Sequence, residues 1–261
     1  MASGLFSLQG RTALVTGGSR GIGKMIAAGF IAHGARVYIS SRKAAVCDAA
    51  AAELSASGGT CISLPQDVST VEGCAALASA YGEQEPKLDI LVNNAGAVWG
   101  AAFTTFPESG WDKVMDLNLK SPFFLTQAMS GWLRASATAA QPAKVINVAS
   151  IDGLRLNPVE TYSYLASKAG LIHLTRGMAA QLIRDNIVVS AIAPGAFGSE
   201  LNREARDNGE EVAKKIPSRR IGTDEDMQGV AIYLASRAGD YVVGFTITVD
   251  GGLVFADRSE V

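Results

Sequence analysis

Histidine and cysteine are scarce in this chain of 261 residues, and each shortage excludes a kind of chemistry. His33 and His173 are the only two histidines and fall in separate predicted helices, over 27–33 and 168–183. A zinc site or a Ser-His-Asp hydrolase needs a histidine beside its partner groups, so both are read as packing or surface residues. Cys47, Cys61 and Cys74 are odd in number and form no C-x-x-C pair, which argues against a disulfide framework and a zinc site. A reducing cytoplasm is the expected location. Positive charge is not in excess either: 23 Lys and Arg face 25 Asp and Glu, a net charge of -2. Nucleic acid, whose phosphates demand a basic surface, is not an expected partner. The longest apolar runs, such as 187–192, fall far short of the roughly 20 residues that span a bilayer, and residues 1–10 carry neither the basic nor the apolar region of a signal peptide. No membrane association is expected.

What the chain does have is apolar content, 48% hydrophobic residues, enough to bury one large core. Short β-rich runs at 12–15, 36–40, 60–64, 89–92, 144–148, 188–192 and 246–249 alternate with helical patterns. That alternation predicts an α/β protein: a single Rossmann-like, doubly wound domain over 1–261 with a seven-stranded parallel sheet. The helices between include an alanine-rich one at 44–55 and a long one at 111–135. Small residues and a proline make 136–143 a surface loop. The charged insertion 194–217 sits before the last helix, where a lid over the strand ends is expected.

The first strand runs into Thr16-Gly17-Gly18-Ser19-Arg20-Gly21-Ile22-Gly23 and then a helix. That order aims backbone N–H groups and a positive helix end at one point, where a pyrophosphate could bind. Gly17 permits the tight turn, and Gly21 and Gly23 allow close backbone approach. The second strand ends Ser40-Ser41-Arg42-Lys43, without the carboxylate that holds the ribose hydroxyls of NAD. Ser41 offers a hydroxyl and Arg42 a guanidinium fork to a 2′-phosphate, with Arg20 adding a second charge. Further on, Tyr164 and Lys168 lie four residues apart in a helical stretch, about 40° apart around its axis, whereas Tyr162 lies about 240° from Lys168. Tyr164 is therefore the tyrosine paired with Lys168. A phenol titrates near about 10, and a neighbouring ammonium is expected to lower that value.

With Asn93-Asn94-Ala95-Gly96 in mid-chain and Ser150 at the end of an apolar run, these motifs resemble the short-chain dehydrogenase/reductase family over 8–252. The resemblance implies a nicotinamide-dependent oxidoreductase. Gly17, Ser19, Arg20, Gly21, Ile22 and Gly23 would hold the pyrophosphate side, and Arg20, Ser41 and Arg42 point to NADP. Asp67 and Val68 would meet the adenine, and Asn94, Ala95 and Gly96 the adenosine ribose. Pro194, Gly195, Phe197 and Ser199 would orient the nicotinamide carboxamide, with Phe197 replacing an aliphatic residue and narrowing the wall beside the ring. Tyr164 becomes the proton donor, Ser150 the ligand of the carbonyl oxygen, and Lys168 the partner of Tyr164 and of the nicotinamide ribose. Asn118 would kink the long helix and hold a water leading to Lys168.

Within the family the chain resembles 3-oxoacyl-acyl-carrier-protein reductases of the rhamnolipid-synthesis type and bacterial carbonyl reductases of broad scope. Substrate residues are expected at Val98, Trp99, residues 152–156 including Gly153 and Leu154, Asn157, Tyr162 and the insertion after Phe197. Most are apolar, which suits a hydrophobic ketone or an acyl chain. Arg134, Lys144 and Arg176 are the basic residues available to an acidic carrier protein, yet Ala180 stands where such reductases are expected to carry arginine. The preferred expectation is therefore an NADPH-dependent carbonyl reductase or secondary alcohol dehydrogenase, with 3-oxoacyl-thioester reduction as the alternative. A non-catalytic NADP-binding scaffold or redox sensor is the alternative of another class. Helices at 111–135 and 163–184 and the last strand resemble the interfaces of the family's homotetramers, and the tail 253–261 could cross one.

Overall fold

A computed structural model describes residues 4–56 and 58–256. Seven strands, β1 (Thr12–Thr16), β2 (Arg36–Ser40), β3 (Thr60–Ser63), β4 (Ile90–Asn93), β5 (Ala143–Val148), β6 (Ile187–Pro194) and β7 (Thr246–Val249), form one parallel sheet in the order β3-β2-β1-β4-β5-β6-β7. The order reverses direction between β1 and β4, where a doubly wound sheet opens a crevice at its carboxyl edge.

Strand alternation divides the interior into two cores. Ala13 and Val15, Val37 and Ile39, Ile90 and Val92, and Ile146 and Val148 face one side; Leu14, Tyr38, Leu91 and Val145 face the other. Helices α1 (Gly21–Ala32), α2 (Ala44–Ala56) and α10 (Asp224–Ala235) contribute to the first core. The second is closed by α3 (Val71–Gly82), by the segment beginning at α4 (Glu108–Met115) and by α7 (Tyr162–Leu182). Both faces being covered explains why the strands read as near-continuous apolar runs.

Several helices carry their own punctuation. Thr70 caps α3 by accepting from Gly73 N at 3.0 Å, and Thr223 and Asp226 form a reciprocal capping box on α10. The long helix expected at 111–135 is instead interrupted: α4 passes into a π-turn at Asp116–Lys120, then α5 (Ser121–Ala128), a break at Met129, and α6 (Ser130–Ser136). In the π-turn Ser121 N donates to Asp116 O, five residues back, so one extra residue is accommodated in the turn that carries Asn118.

Polar groups also cross the second core. Asn93 Nδ2 donates to Asn147 Oδ1 at 2.9 Å, and Asn147 Nδ2 donates to Thr175 Oγ1 at 2.9 Å, tying β4 to β5 and β5 to α7. At the opposite end of the sheet, Arg11 donates to the carbonyl of Pro142 at 2.7 Å, and Lys144, only 1% exposed, meets Asp240 at 2.6 Å. The expected lid contains two short helices, α8 (Arg203–Asp207) and α9 (Gly209–Ala213), anchored by the buried Ala205 and Ile216. Residues 257–261 of the tail, read from the sequence as either crossing an interface or fraying, lie outside the described residues.

Candidate active site

The carboxyl ends of β1, β2, β4, β5 and β6 open onto one cavity of about 760 Å³. Its first wall is the glycine turn. Gly17 and Gly21 have φ of +66° and +52°, values that L side chains rarely adopt. A Cβ on Gly23 would overlap Asn94 Nδ2 and the Gly17 carbonyl, and one on Gly21 would lie 3.1 Å from Ser199 Cβ. The turn is braced from behind. Thr16 Oγ1 accepts from Asn94 N at 3.0 Å and Ala95 N at 3.1 Å, while Asn94 Nδ2 donates to Thr16 O at 2.8 Å. The Asn94 side chain thus supports the turn, and Ala95 and Gly96 line the cavity beside it.

These residues fit a phosphorylated dinucleotide. Helix α1 starts without a side-chain cap and without an acid in its first turn, so its N-terminal N–H groups and positive end are left for an anion. Ser19, Arg20, Ile22, Ser41 and Arg42 line the same wall. Ser41 Oγ is buried without a hydrogen-bond partner among the described residues, an orphan donor that a phosphate oxygen would satisfy. Arg42 lies 4.0 Å from Asp67, a spacing that leaves the guanidinium available to a stronger anionic partner. Asp67 and Val68 continue the wall, and Pro194, Gly195 and Ser199 face it from the other side of the sheet.

The groups expected to react converge where β5 meets α7. Ser150 ends the strand and accepts from Asp152 N at 3.1 Å, which fixes its hydroxyl at the start of a short helical turn. Tyr164 hydrogen-bonds Ser150, and Lys168 Nζ lies 5.6 Å from the Tyr164 ring centre while donating to Val148 O at 2.8 Å. Burial pushes the Tyr164 phenol up to about 12, against the lowering effect of Ser150 and with a further rise from Asp152. Burial draws the Lys168 ammonium down to about 8. The lowering of the phenol expected from Lys168 is not found: burial raises it, and the ammonium is directed at the Val148 carbonyl. A protonated phenol bonded to Ser150 is suited to giving a proton to a carbonyl oxygen.

Asn118, 1% exposed, stands behind these groups. Its Oδ1 accepts from Ala97 N at 2.8 Å, and its Nδ2 donates to Ala97 O at 2.9 Å and Ser167 Oγ at 3.1 Å. It bridges the loop after β4 to α7. The extra residue of the π-turn is what turns Asn118 inward.

Not every expected residue reaches the cavity. Val98 and Asn157 line it; Trp99, Gly153, Leu154 and Tyr162 do not. Trp99 lies against Gly110 with Lys113 Nζ 5.1 Å from its ring, held on α4. Tyr162 packs edge-on against Phe103 and Phe106 and donates to Glu160. Gly153 is a contact point with α7, where a Cβ would lie 2.7 Å from the Lys168 carbonyl carbon, and Leu154 projects outward. Phe197, expected to narrow the nicotinamide wall, does line the cavity, although it is 2% exposed and its ring also packs on Gly222. The basic trio is also dispersed: Lys144 is buried on Asp240, Arg134 is bound to Asp185 at 2.8 Å, and Arg176 is exposed with no ion pair among the described residues.

Other lining residues were not anticipated, among them Lys43, Val46, Gln66, Val159, Thr161 and Leu253. Together with Leu156 (89% exposed), Leu201, Val212 and Ile216, Val159 and Leu253 give the cavity an apolar mouth. Exposed leucines in polar loops were the available signal. Singly such residues mean little; grouped on one cavity they mark a ligand surface.

Comparison with known proteins agrees with this geometry. Residues 17–254 match a family model described as enoyl-(acyl carrier protein) reductase. The chain is 47% identical to a rhamnolipids biosynthesis 3-oxoacyl-[acyl-carrier-protein] reductase of Pseudomonas aeruginosa, over 95% of this chain and 97% of that one. It is 37% identical to a 2-dehydro-3-deoxy-D-gluconate 5-dehydrogenase of Dickeya dadantii, over 95% and 96%. Among solved structures, the Pseudomonas aeruginosa RhlG/NADP active-site complex superposes with a TM-score of 0.93 at 46% identity, covering 96% of this chain and 99% of that one. A short-chain type dehydrogenase/reductase from Mycobacterium marinum gives 0.89 at 31% identity, covering 97% and 98%.

Proposed function

This chain belongs to the short-chain dehydrogenase/reductase family, and from that premise we propose that it is an NADPH-dependent reductase of ketones carried on an apolar skeleton. The enzyme is an oxidoreductase of carbonyl and secondary alcohol groups, with NADP as its cofactor. The cofactor supplies hydride when bound. The protein's own residues do the rest: the glycine turn and α1 bind the pyrophosphate, Ser41, Arg20 and Arg42 bind the 2′-phosphate, Ser150 holds the carbonyl oxygen, and Tyr164 gives it a proton.

The observation that carries the reading is the Ser150–Tyr164–Lys168 cluster opening into a cavity with an apolar mouth. Free ketones are preferred over carrier-bound acyl groups because Lys144 is buried and Arg134 is already paired, which removes two of the three basic residues expected to steer an acidic carrier protein. Reduction of a 3-oxoacyl thioester remains the second reading, favoured by the 47% identity to a reductase of that name. The test is NADPH oxidation with an aryl ketone and a 3-oxoacyl thioester side by side. Preference for the ketone, lost in Tyr164→Phe, supports the first reading; preference for the thioester replaces it with the second. A scaffold or sensor would show no turnover for Tyr164→Phe to abolish.

The expected assembly is a homotetramer in the cytoplasm. Exposed Trp111 and Phe123 on α4 and α5, and exposed Phe245 at the edge strand β7, support self-association.

A further inference from the structure

The cavity receives one residue from a segment outside the reaction machinery: Leu253, in the turn that follows β7. This turn is built rather than loose. The Asp250 carboxylate accepts from Gly252 N at 2.9 Å through one oxygen and from Val254 N at 2.8 Å through the other. Gly251 and Gly252 have φ of +63° and +94°, which lets the chain reverse so tightly. Ser218 N donates to Gly251 O at 3.0 Å, fastening the turn to the end of the lid, and a Cβ on Gly251 would lie 2.7 Å from Ile216 Cγ2. On its other side Asp250 is packed on Gly195, where a Cβ would lie 2.7 Å from Asp250 Cα, and Gly195 N donates to Val249 O at 2.9 Å. The Asp250 carboxylate therefore sets the shape of the turn, and backbone bonds at Gly251 and Val249 hold it between Ser218 and the segment 194–199.

We propose that the turn 250–254 is a wall of the substrate site, with Leu253 a specificity-determining residue and Asp250 its positioning residue, and that the substrate carries an apolar chain reaching Leu253. The inference rests on the ketone-reductase reading for the other end of that chain, at Ser150 and Tyr164. Apolar lining at Leu253, Ile216, Leu201 and Val212 makes the recognition hydrophobic, so it scales with chain length. Each methylene buried there raises affinity about fourfold.

Binding distinguishes the wall from the chemistry. The Tyr164→Phe protein loaded with NADPH is titrated calorimetrically with methyl ketones of increasing chain length, alone and combined with Leu253→Ala, Leu253→Trp or Asp250→Asn. Affinity is expected to climb with chain length and then level off. Leu253→Trp should bring the plateau to shorter chains, and Leu253→Ala should weaken the longest ketones about tenfold. Asp250→Asn, which turns an N–H toward the N–H of Val254 or Gly252, should weaken long ketones more than short ones; a purely structural role would weaken all alike. A chain-length profile unchanged by both Leu253 substitutions, or no ketone binding at all, overturns the proposal. A wild-type protein that binds with the Leu253-dependent profile yet reduces no ketone would remove the reductase reading and leave the wall standing.

Discussion

The two walls of the cavity are built by different means. On the cofactor side, the glycine turn is clamped by Thr16 and Asn94, both in contact with backbone, and Gly18 and Gly23 face atoms that leave no room for a Cβ. On the side proposed for the substrate, the loop 151–161 and the segment 194–217 are held by short-range side-chain bonds, such as Asn157 to Asp152 at 3.1 Å, and by exposed ion pairs such as Lys214 with Glu211 at 2.6 Å. The first wall is strictly determined by packing, the second by weak contacts that solvent screens. A fixed cofactor and an adjustable substrate are the consequence, which fits a family in which relatives near 35% identity act on compounds as different as sugar acids and acyl chains.

The contrast is broken most severely where the walls meet. Tyr164→Phe should lower kcat by about 10²- to 10⁴-fold, the usual contribution of a positioned proton donor; steady-state NADPH oxidation measures it. Gly23→Ala should follow, since its methyl overlaps Asn94 and the Gly17 carbonyl. A loss of about 1–3 kcal/mol in stability is expected, read by urea denaturation, together with weaker NADPH binding read by its fluorescence. A Gly23→Ala protein as stable as the wild type would show the cofactor wall to be more pliant than its packing implies.

How much of this was legible depended on whether a residue's environment is local. The seven strands were readable because each carries its own apolar run, and the glycine turn because its spacing follows directly from what a pyrophosphate needs. The packing of Phe197 on Gly222 was not legible because its partner lies 25 residues further on, nor was the burial of Lys144, which Asp240, in a distant turn, makes tolerable. The π-turn at Asn118 leaves no mark in hydrophobic periodicity; one extra residue shifts the phase but not the pattern. Leu253 was missed because a leucine in a glycine-rich turn has no period at all.

Smaller effects sharpen the comparison. Arg42→Ala should weaken NADPH about 10- to 100-fold and NADH far less, the range for hydrogen bonds to a charged group; the ratio of the two dissociation constants reads it. The pH profile of reduction should fall as pH rises through about 8, where Lys168 loses its proton, while Tyr164, at about 12, stays protonated throughout. The ammonium is charged below its lowered value and neutral above it, so a rate flat to pH 10 would show that its charge is not set by burial. Least of all, Glu211→Ala on the lid should leave the urea midpoint within error, since both partners of its ion pair are mostly exposed.

Side-chain bonds run from Asn93 through Asn147 to Thr175, joining two strands to α7. Apolar contacts tolerate gradual sliding, but an amide that must find one particular hydroxyl inside a dry sheet is either engaged or orphaned. Helix α7 is thereby indexed to the sheet like a gear tooth. Tyr164 and Lys168 inherit a position that small core substitutions cannot tune by degrees, so new substrates have to be accommodated by the loops at the rim while the axle stays put.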